Sequence, residues 1–229
     1  MESFTNPIST AQIPISKLLD FAPLKPAVKR QVTQVYAWLS VGFLLAMVGY
    51  SLPIPRILAV PVALISYLAL YSPMRQSYKQ AAFIAFTVSK GASLHFLEFI
   101  PQQLVLQALL YTMLVFVAFS ASILSSPTRY MSYIMSLIST GSMILIANSF
   151  ASWIFNIRMS LYFELVIGIC VFASYILYDT QVMIFRAETG QIDVLRCAAD
   201  LYVDAVALFV RIAILLNDKQ EKKKNKRHQ

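Results

Sequence analysis

The chain reads as an all-α protein, a polytopic membrane bundle of about seven transmembrane helices. Three observations predict this. First, 58% of its 229 residues are hydrophobic and only 13% are charged, with a mean hydropathy of +0.65. Soluble domains carry roughly 45–50% apolar and about 25% charged residues, so the apolar excess here must face lipid. Second, most of the chain falls into apolar runs near the roughly 20 residues that a helix needs to cross the hydrocarbon. Third, the runs lack the dyad alternation of a barrel, and lipid offers no hydrogen-bond partners, so the runs must be helices.

Seven spans follow from those runs: Val35–Leu52, Ile57–Ser72 (with Pro61 inside), Ala81–Ile100, Leu104–Leu124, Met131–Phe155, Ser160–Tyr178 and Ala198–Leu216. Pro53, Pro55, Pro73, Pro101 and Pro127 mark the breaks, because proline lacks the donor that would continue a helix. The connections are short except Asp179–Cys197, which predicts an up-down bundle with antiparallel neighbours. The domain organisation is a polar leader over residues 1–34, the bundle over 35–216 and a basic tail over 217–229. The end of the leader, Pro26-Ala-Val-Lys-Arg-Gln-Val, reads as a short helix with proline in its first turn, running into the first span. No signal peptide is visible, and the first span is expected to insert by itself.

The net charge of +8 is unevenly spread. From Lys219 to Gln229, Lys219, Lys222, Lys223, Lys224, Lys226 and Arg227, set against Glu221, give +5. Such tails beside a span mark the cytosolic face and lie on anionic lipid. The expected partner is therefore the bilayer, with no nucleic acid. With a cytosolic N-terminus, nine basic residues lie on that side ahead of the tail: Lys17, Lys25, Lys29, Arg30, Arg75, Lys79, Arg129, Arg186 and Arg196. Arg56 and Arg158 make two on the other. Seven complete crossings would then put the basic tail on the wrong side. Either the last charged segment is re-entrant, or the tail is an exception to the rule.

Charges inside spans cost about 2.5–3.5 kcal/mol each on insertion scales, so they face the bundle interior or water. Asp200 and Asp204 are four apart and share a helix face, and Arg211 falls seven residues beyond Asp204 on the same face. That stripe puts the last helix in the bundle core. An internal salt bridge from Arg211 to one aspartate is the structural reading. Two acids against one base still leave a carboxylate that needs a proton, a cation or another partner. Asp179 ends the sixth span; alone it could simply terminate that helix. If it meets Asp204, repulsion and burial make the two share a proton, and a pair that breaks on deprotonation is a pH-operated latch. Lys90, His95 and Glu98 interrupt the third span and either neutralise one another near the interface or line a polar vestibule. Glu164 reads as interfacial, and Asn148 with the nearby Ser and Thr as interhelical hydrogen bonds. Cys170 and Cys197 read as buried free thiols. No cofactor is expected.

Tyr178-Asp179-Thr180-Gln181, then Ala187, Gly190 and Asp193, then Asp200-Leu-Tyr-Val-Asp204 and Phe209-Val-Arg211-Ile resemble the Bax inhibitor family of membrane proteins, as does Glu98 within Leu-Glu-Phe. The resemblance runs from about Tyr36 to Leu216, strongest in the last third, and the basic tail resembles the eukaryotic branch. It implies a seven-helix bundle around a central last helix. It also implies a pH-gated calcium leak of the endoplasmic reticulum membrane, with an inhibitory role in cell death and Bcl-family partners. The family's sensing aspartates fall on Asp179 and Asp204, which would contact calcium transiently, carboxylate oxygen suiting a hard cation. Asp200, Glu98 and Arg211 are candidates for the ion path. In bacterial relatives an arginine at the end of the second helix holds one aspartate. Arg75 matches its place, although here it follows Pro73.

Three other functions fit the same residues less fully. An intramembrane aspartyl protease needs Gly-x-Gly-Asp and Pro-Ala-Leu motifs, and this chain has neither, so it is read as no enzyme. A scaffold that binds death regulators or channels would not conduct. A proton/cation exchanger would require a counter-flux.

Overall fold

The computed structural model describes residues 26–124, 131–155 and 160–227, and all regular structure among them is helical. The order is α1 (Pro26–Ser51), α2 (Arg56–Leu70), α3 (Gln76–Ala92), a 3-10 turn (His95–Phe99), α4 (Gln102–Leu124), α5 (Met131–Phe155), α6 (Leu161–Glu188) and α7 (Val194–Arg227). The first 25 residues of the leader, Pro127, Arg129 and Arg158 lie outside the described residues.

By length and composition, α1, α4, α5 and α6 can each cross a membrane. At 15 residues, α2 spans about 22 Å, short of the ~30 Å hydrocarbon core. Pro61 lies within it without ending it. Helix α7 is the axis of the bundle and packs against α1, α2, α3, α4 and α6. Its Tyr202 is fully buried, with its ring against Phe43 of α1 and Phe86 of α3. A helix carrying aspartates tolerates this depth because its neighbours, not lipid, surround it. The periphery is different. Helix α5 packs on α6 and turns Met143, Phe150, Ile154 and Trp153 outward, Trp153 being 82% exposed.

Helices α1 and α3 run parallel in backbone contact. A Cβ on Gly49 would overlap the Val88 carbonyl, and one on Gly91 would overlap the Ala46 carbonyl. Small residues drive such close approach in membranes, where lipid supplies no hydrophobic drive between helices.

Several expected boundaries change. The third span ends at Ala92, and His95 and Glu98 sit in the following 3-10 turn. There His95 Nδ1 lies 3.1 Å from Glu98 Oε1 and Nε2 lies 2.9 Å from the Leu52 carbonyl. The sixth span continues through Tyr178 to Glu188, so Asp179 is interior to a helix and does not terminate it. The connection expected at Asp179–Cys197 shrinks to the residues after Glu188 and before Val194. Gly190, at φ 71°, supplies the left-handed turn that closes α6. Asp193 then caps α7, its Oδ1 accepting from the Arg196 N–H at 3.3 Å. Cys197 is buried, but Cys170 is exposed on the outer face of α6, against the expectation for both thiols.

The last helix does not fold back. It runs as one helix of 34 residues, antiparallel to α6. Arg211 lies against Gly168, and Lys219 lies over the Tyr162 ring near the start of α6. The basic tail is helical through Arg227 and emerges at the bundle end opposite to the start of α1.

Candidate functional site

Near the end of the bundle where α1 and α7 begin, α2, α6 and α7 enclose a cavity of about 420 Å³. Helix α6 contributes Phe172, Tyr175, Tyr178, Asp179, Val182 and Arg186, mostly spaced three or four apart and so on one stripe. From α7 come Arg196, Cys197, Asp200, Val203 and Asp204, from α2 Tyr67, and from its C-cap Tyr71.

The carboxyl groups of Asp179 and Asp204 are within hydrogen-bonding reach of one another. Asp204 is 5% exposed, and its Oδ2 meets no N–H or O–H donor among the described residues. Two carboxyl groups can hydrogen-bond only through a proton carried by one of them. A bond between these two groups would exist only while one of them carries a proton.

Asp200 has different company. Its Oδ1 accepts from Tyr67 Oη at 2.8 Å and from Tyr71 Oη at 2.6 Å. The Arg196 guanidinium lies 3.9 Å from the centroid of the Tyr71 ring. Arg186 Nη1 reaches Cys197 Sγ at 4.0 Å. Asp200, Arg186 and Arg196 all act electrostatically on Asp179. With one proton in the dyad, three carboxyl groups carry two negative charges, and two arginines balance them. Loss of that proton leaves one uncompensated charge beside the buried Asp204, where repulsion is stronger than in water.

Outside this mouth, Lys79 of α3 forms an ion pair with Asp193, whose exposure is low on both sides. That pair ties the α6–α7 connection to α3.

The structure thus brings Asp179, Asp200 and Asp204 to one cavity. Arg211 lies elsewhere, two turns deeper. Among the described residues it forms no ion pair with either aspartate, because its guanidinium stacks on Phe172 at 4.1 Å and donates to the Ala207 carbonyl at 3.2 Å. Arg75 is exposed at the start of α3 and does not line the cavity. The chain turns outward after Leu70, through the segment containing Pro73. Glu98 is exposed in its 3-10 turn at the opposite end of the bundle. The site residues missed in the sequence are Tyr67, Tyr71, Arg186 and Arg196. Their signal was spacing. Tyr67 and Tyr71 are four apart, Arg186 is seven beyond Asp179, and Arg196 is four before Asp200. The arginines escaped because they fell in a stretch read as loop.

Known proteins share this layout of sequence. The chain is 30% identical over 225 residues to "Bax inhibitor 1" of Oryza sativa subsp. japonica, covering 92% of this chain and 90% of that protein. It is 30% identical over 210 residues to the Arabidopsis thaliana protein of the same name, covering 87% and 85%. To that of Mus musculus it is 25% identical over 231 residues, covering 94% and 98%. The family described as "Inhibitor of apoptosis-promoting Bax1" matches residues 28–221, which include every residue that lines the cavity, and the chain belongs to this Bax inhibitor family of membrane proteins.

Proposed function

We propose that the protein is a passive calcium leak of the endoplasmic reticulum membrane, opened by loss of the proton shared by Asp179 and Asp204, and that it restrains programmed cell death. The observation that carries this reading is the charge balance of the cavity. One proton makes it neutral, and its loss places repulsion between α6 and α7. Asp200, Arg186, Arg196, Tyr67, Tyr71, Tyr175, Tyr178 and Cys197 are the charged and titratable groups that line the cavity with the dyad. The tyrosines hold α2 to α7 through Asp200, so repulsion at Asp179 and Asp204 acts next to the weakest-packed helix of that wall. No enzyme activity is proposed, and the permeant ion is calcium, for which carboxylate oxygens are suitable contacts. The restraint of cell death rests on the names of the relatives, and any Bcl-family partner would meet the protein through its exposed ends.

The end bearing the cavity is assigned to the cytosol, because Lys29, Arg30, Arg75, Lys79, Arg186 and Arg196 gather there. The helical tail then reaches the lumen, against the usual trend for basic segments.

The test is calcium flux from proteoliposomes holding the purified full chain, from about pH 5 to about pH 8. The wild type is expected to leak more as pH rises and the dyad loses its proton. Asp204→Asn and Asp179→Asn each leave one carboxyl and remove the shared proton, so the rise with pH should disappear in both. A leak whose pH profile survives both substitutions refutes the latch. Silence at every pH, from folded protein, refutes the leak and supports a non-conducting scaffold.

A further inference from the structure

The polar seam between α6 and α7 continues beyond the cavity. Phe172 stands in the cavity wall, and the Arg211 guanidinium lies on that same ring without lining the cavity itself. Gly168 makes room for it. A Cβ at position 168 would collide with Arg211 Nε and lie 2.7 Å from its Cδ. The side chain is held by the Ala207 carbonyl and the Phe172 ring, neither of which carries a negative charge. Among the described residues it has no ion pair. Glu164 acts on it electrostatically from one turn further along α6, while accepting from Asn148 Nδ2 at 3.2 Å.

A part-buried arginine in a membrane bundle with no carboxylate in ion-pair contact is expensive to keep. Neither of its direct partners, an aromatic ring and a backbone carbonyl, neutralises the charge. What the charge does supply is a field. Any cation passing from the three-carboxylate cavity behind Phe172 would meet the fixed positive charge stacked on that ring. Positive residues at constrictions exclude cations from other pores by the same repulsion.

We propose that Arg211 is the cation barrier at the inner end of the cavity, seated in the Gly168 slot and capped by Phe172. This rests on the leak reading above. It adds that closure has two parts: the dyad at the mouth and a fixed charge behind it. Glu164 is the carboxylate toward which Arg211 would move for the path to open.

The test compares full-length wild type, Arg211→Gln, Arg211→Lys and Asp204→Asn in proteoliposomes, measuring calcium and potassium flux separately. Size-exclusion profiles show which variants are folded. Arg211→Gln is expected to raise calcium flux on the order of tenfold and potassium flux less, because repulsion scales with the charge of the ion. Arg211→Lys keeps the charge and should stay near wild type. An equal rise in both variants, or an equal rise for both ions, would show that Arg211 acts by packing and overturn the barrier. Wild-type flux unchanged by either Arg211 substitution overturns the barrier and leaves the leak standing. If no variant conducts either ion, the leak reading fails and the barrier with it.

Discussion

The attachment of α2 to the central helix can be broken at two hydroxyl groups. Helix α2 buries only Ala59, Ala63 and Leu70 and leans mainly on α3. At the cavity it is joined to α7 by the bonds from Tyr67 and Tyr71 to Asp200 Oδ1. A hydrogen bond to a charged group contributes about 1.5–3 kcal/mol. Tyr71 is 42% exposed, so water competes for its bond, and a value near 1 kcal/mol applies there. Tyr67 is half-buried and belongs near the upper end, at about 2–3 kcal/mol. Cys197 lines the same cavity and is 4% exposed, which makes its thiol a reporter of opening. In a Cys170→Ser background, the labelling rate of Cys197 by a thiol reagent follows the opening equilibrium, provided closing outpaces labelling. At 1.4 kcal/mol per tenfold, Tyr71→Phe should speed labelling about fivefold and Tyr67→Phe roughly 30- to 150-fold. Tyr78→Phe, at an exposed residue outside the cavity, is the control. Wild-type labelling rates in the Tyr67→Phe, Tyr71→Phe double variant would refute the claim that these bonds hold the wall closed.

Two further outcomes follow from packing and topology. Gly49→Ala or Gly91→Ala inserts a carbon into the backbone contact of α1 and α3. Overpacking of about 1–3 kcal/mol should lower the melting temperature in detergent by roughly 3–10 °C. Gly190→Ala meets no neighbour within 4 Å and should cost only its left-handed strain, about 1–2 kcal/mol. Epitope tags at the two termini should be protected on opposite sides of a sealed vesicle, because α7 runs through without folding back. Tags accessible from the same side would show that the chain crosses an even number of times.

Composition and apolar runs made the bundle legible, because lipid permits so few alternatives. The Asp200–Asp204 spacing placed the last helix in the core for the same reason. Boundaries were harder to read. Residues 180–188 look like loop by hydropathy, since Asp179, Gln181 and Arg186 dilute the run, yet the helix continues because Asp179 and Arg186 face a shared polar cavity and Gln181 is buried in the bundle. A salt bridge from Arg211 to an aspartate was one alternative open in the sequence, and the structure does not form it. The arginine's position on the aspartate face was right, but seven residues of helix separate it from Asp204 by about 10 Å, more than a side-chain ion pair can bridge without a bend. No periodicity could have shown that Gly168 leaves a slot for it. The tyrosines of α2 lie outside any motif of the last third. Only the tertiary fold brings them to Asp200.

The missing side chains at positions 49 and 91 also decide which degrees of freedom the molecule retains. With carbonyls in van der Waals contact, α1 and α3 cannot slide, rotate or part without first separating as backbones, so the two behave as a single body. Helix α7 is clamped against that body through Tyr202. Whatever mobility the bundle possesses is thereby displaced outward, into α5, which packs mainly on α6 and not on that body. Two absent methyl groups make one half of the bundle a stator, and motion belongs to the helix least bound to it.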